Sequence, residues 1–213
     1  MRLYLLAMED EAKDIINDFN LIKDVPFKLY QKEDTLLAIT GVGKVNASFV
    51  FTSVLSYYDN INEVINIGFA GAHGNFKISD FVLVDEAIYH DFDLTMFNYK
   101  KGQVPNIKDD FLTNHNYLTL FYDLKRTKLY TGDQFSTEIL GDNYLADMEG
   151  TALFQVAYLL NIDILSIKVV SDIIGSTDHI LEYSDFETKG SKYLKELFDL
   201  IEVRLNEKRL NFT

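Results

Sequence analysis

Three carboxylates stand where apolar runs give way to polar residues, and carboxylates so placed can carry protons or stabilise a developing cation. The location matters because ligands of open α/β sheets bind beyond the carboxyl ends of strands. Glu11 follows the run Leu3 to Ala7 in the stretch Ala7-Met8-Glu9-Asp10-Glu11 and flanks an apolar stripe. Taken alone, it reads as a charge complementing a helix start. Glu149 shares a helical stripe with Leu153, Val156 and Leu160, which should face the core. A buried carboxylate needs a cation, several donors or a ligand as its partner, and the pattern leaves these open. Asp172 closes the run Ile164 to Val170, followed by Ile173, Ile174 and Gly175 in a turn. It could cap that turn, or serve as a carboxylic acid kept protonated near neutral pH.

Glycines cluster at Gly41-Val42-Gly43-Lys44 and Gly68-Phe69-Ala70-Gly71, each after an apolar run. Tight turns or close approach of backbone to a ligand explain either cluster. The first lacks the upstream glycine and the hydroxyl residue of a phosphate-binding loop, and neither fits Gly-x-Gly-x-x-Gly. His90, Asp91 and Asp93 group together, but their spacing matches no zinc or calcium motif, so hydrogen bonding within the fold is expected. His73, His115 and His179 have no nucleophile pairing, and no Gly-x-Ser-x-Gly elbow occurs, which excludes a serine hydrolase of that type. With no cysteine, thiolate catalysis, thiolate metal sites and disulfides are excluded too.

The elements that must position these residues follow from periodicity. Buried-strand runs recur at Leu3 to Ala7, Leu36 to Thr40, Val64 to Phe69, Phe81 to Val84, Leu129 to Thr131 and Ile164 to Val170. Helical periods predict helices over Glu9 to Phe19, about Lys44 to Tyr57, Met148 to Leu160 and Ser184 to Asn206. Alternating strands and helices argue for a mainly parallel sheet covered on both faces. Asn98 to Asp110 reads as a long loop, and Lys208 to Thr213 as a frayed end. The 213 residues suit one domain spanning 1–213, with 47% apolar residues to fill a core. A net charge of −13 disfavours nucleic acid and anionic membrane surfaces, and no run has the length of a signal or membrane segment, so a cytoplasmic protein is expected.

In order and spacing, these pieces resemble the methylthioadenosine/S-adenosylhomocysteine nucleosidases of the nucleoside phosphorylase superfamily over nearly the whole chain. The matching stretches are Ala7 to Glu11, Gly41-Val42-Gly43-Lys44-Val45, Asn66 to Gly71, Tyr89-His90-Asp91-Phe92-Asp93, Gly102-Gln103-Val104-Pro105, Gly132-Asp133-Gln134-Phe135, Asp147-Met148-Glu149 and Val170-Ser171-Asp172. The resemblance implies an α/β fold with three layers, α/β/α, around a mixed, mainly parallel sheet. It implies hydrolysis of the N-glycosidic bond of methylthioadenosine, S-adenosylhomocysteine and 5'-deoxyadenosine, with no metal or other cofactor, by a homodimer.

Position by position, it makes Asp172 the acid toward adenine N7, Glu11 the activator of water and Glu149 the holder of the ribose hydroxyls beside Met148. Phe135 would stack near adenine, the backbone of Ser136 would bond its edge, and Ala70 and Gly71 would adjoin the substrate. Met8, Val42 and Tyr183 would line the slot for the 5' group, with Phe97 and Pro105 arriving from the partner subunit. The chain departs from the family pattern at Phe69 for serine, Lys168 for arginine, Asp147 for glutamate and Gly150 for alanine. Phe69 and Lys168 bear on the placement of water. A purine nucleoside phosphorylase, or an adenine-nucleoside binding module without catalysis, are the alternatives.

Overall fold

The structure, a computed structural model, describes residues 1–107, 110–177, 179–187 and 189–210, without the side chains of 179, 185, 187, 209 and 210. The chain begins with β1 (Arg2–Leu6), α1 (Glu9–Ile16), β2 (Asn20–Lys23), β3 (Leu29–Lys32), β4 (Thr35–Ile39) and α2 (Lys44–Tyr57). It continues through β5 (Glu63–His73), β6 (Phe81–Tyr89), β7 (Phe111–Leu112), α3 (His115–Leu120) and β8 (Lys125–Thr131). It ends with β9 (Tyr144–Asp147), α4 (Gly150–Leu160), β10 (Ile164–Ile173), α5 (His179–Glu187) and α6 (Gly190–Leu210).

Period-two burial explains the layers. Leu3 and Leu5 of β1 join one apolar cluster with Phe51 and Val54 of α2 and Leu153 and Phe154 of α4. Tyr4 and Leu6 point to the other face, where they join Ala12 and Ile15 of α1 and Leu194, Leu197 and Ile201 of α6. Both faces of the strand are therefore buried, which is why it reads as a continuous apolar run. Helices cover each side, giving the three layers expected. The sheet is mixed, with β4, β1, β5 and β10 running as parallel neighbours. β5 also pairs antiparallel with β9, while β10, β6, β8 and β9 follow one another, so this half of the sheet curls back onto itself. That curl brings the ends of β5, β9 and β10 together.

Several elements differ from the sequence expectation. The helix expected over Ser184 to Asn206 is two helices, α5 and α6. A Cβ at Gly190, where α6 starts, would collide with the rings of Phe69 and Phe186, so the junction takes a residue without one. β5 and β10 extend past their expected ends, to His73 and Ile173, and the second glycine cluster lies inside β5 rather than after it. The end expected to fray is helical through Leu210, while 211–213 lie outside the described residues. Of the loop Asn98 to Asp110, the described part packs inward through Gly102, whose N–H donates to Phe92 O at 2.8 Å; 108 and 109 lie outside the described residues. Among the described residues no helix is long and apolar enough to cross a membrane.

Phe69 and Phe186 meet edge to face at 5.1 Å, and Phe186 stacks on Tyr193, which pins α5 between the sheet and α6. Phe186→Ala should therefore lower unfolding stability by about 3–5 kcal/mol, as for other buried rings. Urea denaturation would register this as a lower midpoint at unchanged slope; a loss below about 1 kcal/mol would remove Phe186 from that role.

Candidate active site

Glu11 sits in the first turn of α1, yet it is only 3% exposed. Its Oε2 accepts the N–H groups of Ala7 and Met8, both at 3.0 Å, and its Oε1 accepts that of Phe69 at 2.9 Å. The side chain thus turns back over the end of β1 and reaches β5. A Cβ at Gly68 would lie 3.1 Å from Oε1, so the glycine makes room for the carboxylate. Burial pushes Glu11 up from the ordinary glutamate range, against the three N–H groups and the charge of Lys168.

Glu149 occupies the N-cap position of α4 rather than lying within the helix, so it does not share the helical stripe expected for it. Val156 is half-buried and Leu160 exposed, whereas Leu153 is buried as expected. The partner of Glu149 is the N–H of Gly43 at 2.8 Å, presented at the start of α2 where Gly43 takes φ 97°. Burial first, then the charge of Asp147, pushes Glu149 up to about 8, with the Gly43 bond and Lys168 opposing.

Asp172 lies inside β10, not in a turn after it. A register shift between Val170 and Asp172 places it opposite Gly71 of β5. It is 1% exposed and accepts the Ser171 hydroxyl. A Cβ at Gly71 would stand 2.7 Å from Asp172 Oδ2, so Gly71 exists to admit this side chain.

The three carboxylates line one cavity of about 100 Å³. Met8, Val42, Ala70, Gly71, Met148 and Tyr183 line it as well. A side pocket of about 40 Å³ continues from it past Phe135 and reaches Ser136. Phe135 meets Tyr183 edge to face at 5.5 Å across the opening. Phe97 and Pro105 do not line this cavity; Phe97 is 63% exposed, in a short 3-10 turn.

Lys168, with a side chain 2% exposed, pairs with Asp147 at 2.8 Å. Burial lowers its affinity for a proton, but Asp147, Glu149 and Glu11 outweigh that and raise it overall, so it stays an ammonium. Asp147 and Ser171 are polar residues of the cavity lining that sequence reasoning did not assign to the site. Their signal was present, since both lie in the quoted stretches beside Glu149 and Asp172.

The cluster at His90, Asp91 and Asp93 hydrogen-bonds within the fold, as expected. Asp91 bonds Lys44 at 2.6 Å and the N–H of Asp133, and Asp93 bonds Thr95. His90 Nε2 is buried without a hydrogen-bond partner among the described residues, and burial holds its pKa down. His73 Nδ1 meets Ile174 O at 2.9 Å, His115 lies at the start of α3, and the side chain of His179 lies outside the described residues. Among the described residues no three His, Asp or Glu side chains are arranged so that they could hold a metal ion.

A curled mixed sheet between helices, with a carboxylate cavity at its strand ends, defines the class of protein. A family model described as the phosphorylase superfamily matches residues 2–203. A 5'-methylthioadenosine/S-adenosylhomocysteine nucleosidase of Buchnera aphidicola is 33% identical, covering 89% of this chain and 92% of its own. That of Bacillus licheniformis is 30% identical, covering 83% and 84%. A crystal structure from Borrelia burgdorferi, assigned to the same nucleosidases and bound to adenine, superposes with a TM-score of 0.84 at 28% identity, covering 95% of this chain and 100% of that one. The chain belongs to the phosphorylase superfamily and, within it, to the 5'-methylthioadenosine/S-adenosylhomocysteine nucleosidases.

The raised Glu149 has a consequence for stability. A carboxyl group whose folded pKa exceeds its unfolded value favours folding at low pH, and that contribution is lost as pH rises from about 4.5 toward about 8. Glu149→Gln removes the penalty. It should be more stable than the parent by upwards of ~1 kcal/mol near pH 9, with the difference shrinking toward about pH 5. Urea unfolding across that range checks it, and a pH-independent difference would contradict the raised value.

Proposed function

We propose that this chain hydrolyses the N-glycosidic bond of 5'-methylthioadenosine and S-adenosylhomocysteine, and of 5'-deoxyadenosine, releasing adenine and the 5-substituted ribose. The observation that carries this reading is the convergence of Glu11, Glu149 and Asp172 on one buried cavity.

Cleavage makes the ribose cationic and the purine anionic. Asp172 delivers a proton to adenine N7, which turns the base into a neutral leaving group. Glu149 accepts the ribose hydroxyls beside Met148; those donors and the developing cation favour its ionised form over the neutral one that burial favours in the empty cavity. Glu11, raised by burial, has the basicity to take a proton from water attacking the opposite face of the sugar. Phe135 stacks on the base, and Ser136 bonds its edge through the backbone. Met8, Val42 and Tyr183 take the 5' group.

The stretch Gly68 to Gly74 contains no arginine to bind a phosphate anion, which argues against phosphorolysis. A binding module has no use for an acid, a base and a cation stabiliser together. Phe97 and Pro105 serve the site of a second copy in a homodimer; the exposed rings and chains of Val45, Phe49, Met96 and Phe97 supply apolar surface for that contact. The charge and the absence of cysteine suit work in the cytoplasm.

Asp172→Asn keeps size and polarity but cannot supply an acidic proton. Adenine release from methylthioadenosine should fall by ~10²-fold or more, in line with the contribution of a general acid, at near-unchanged KM. Circular dichroism would establish that the fold persists. Near-normal turnover would remove Asp172 from the proton-donating role.

A further inference from the structure

Asp147, Gly150 and Lys168, noted separately as departures from the family pattern, form one contact unit in the structure. Asp147 Oδ1 accepts the Thr131 hydroxyl at 2.6 Å. Its Oδ2 accepts both the Gly150 N–H at 2.9 Å and the Lys168 ammonium at 2.8 Å. One buried carboxylate thereby ties β8, α4 and β10 together. Thr131 is itself fixed, because its Oγ1 receives the Thr151 N–H at 2.9 Å and the Thr151 hydroxyl at 2.8 Å. Gly150 allows this closeness: a Cβ there would stand 2.8 Å from Asp147 Oδ2 and collide with Leu129. Held by two donors, Oδ2 could retreat only by giving one up.

We propose that Asp147 is a positioning residue for the hydrolysis, acting through Lys168, and that Gly150 is the space this requires. The proposal rests on the reading of Glu11 and Glu149 as the charges that meet the ribose. Glu149 is faced by Asp147 from β9, Lys168 from β10, Glu11 from α1 and the Gly43 N–H from α2. Lys168 is the cation among them, and its field favours the ionised forms of both glutamates. Without an anchor, an ammonium on a flexible stem would move onto one of those glutamates and neutralise it. Asp147 holds the ammonium aside, so the glutamates feel its charge while their oxygens stay available to water and ribose.

The test compares wild type, Asp147→Asn and Gly150→Ala by adenine release against pH, alongside ¹³C carboxyl NMR titration of Glu149 assigned through Glu149→Gln. Asp147→Asn removes a like charge from Glu149 and frees the lysine. Its kcat should fall by ~10-fold or more, the scale of small misplacements at an active site, with a smaller change in KM. The Glu149 midpoint should move to lower pH in both the rate profile and the NMR. Gly150→Ala keeps every charge but displaces the carboxylate, so it should lower kcat in the same direction. A wild-type kcat, or a uniform loss with the midpoint unmoved, overturns the proposal. If Asp147→Asn does not fold, Gly150→Ala decides by the same two criteria. If wild type releases no adenine, the functional reading fails instead, and the NMR midpoints still decide the role of Asp147.

Discussion

Water stabilises a carboxylate by several kcal/mol that a protein interior must replace, and this chain buries those of Glu11, Asp147, Glu149 and Asp172 at one end of its sheet. The replacement comes from a few fixed donors. Backbone N–H groups serve Glu11 and Glu149, a hydroxyl serves Asp172, and one ammonium supports the group as a whole. Much of the architecture follows from that demand. Both Gly68 and Gly71 lie mid-strand, where glycine ordinarily weakens a strand; a Cβ at Gly68 would crowd Glu11 and one at Gly71 would strike Asp172. The irregularity of β10 serves the same end by aiming Asp172 across β5.

The donors are incomplete, and the shortfall suits the chemistry. Among the described residues Glu149 has one N–H within reach and the like charges of Asp147 and Glu11 nearby, so the empty cavity holds it well above the usual carboxylate range. In the proposed reaction, a ribose that donates hydroxyls and becomes cationic supplies what is missing. On that reading, stabilisation grows along the reaction, the condition for lowering a barrier rather than only binding tightly. Phe69 shows how little of this depends on its own side chain. Its N–H serves Glu11, while its ring packs on Phe186 and helps hold α5, which carries Tyr183 over the cavity.

The two-faced strands were legible because β1, β4 and β5 bury both faces and so carry apolar residues at successive positions, with Asn66 the buried polar exception in β5. The short strands β2, β3, β7 and β9 were not. Asn20–Lys23 is mostly exposed, and Phe111–Leu112 is two residues long, so neither carries a hydrophobic period. The break between α5 and α6 was hidden because Gly190 answers to Phe69, far away in sequence. Within the site, Glu11, Glu149 and Asp172 were identifiable from where apolar runs stop, together with the order of the motifs. Their partners were harder to see. Nothing local links Glu149 to Gly43, or Lys168 to Asp147, because the curl of the sheet creates those contacts. The cluster at His90 and Asp91 gave the opposite lesson, since residues suited to a metal are tied to Lys44 and Asp133 instead.

The central claim is that water, admitted to a pocket of carboxylates, is the nucleophile. The most direct measurement follows methylthioadenosine cleavage in ¹⁸O-labelled water, with and without phosphate, analysing both products by mass spectrometry. The account predicts equal rates of adenine release in the two conditions and a methylthioribose carrying one labelled oxygen. Release that requires phosphate, with an unlabelled sugar phosphate as product, would contradict it.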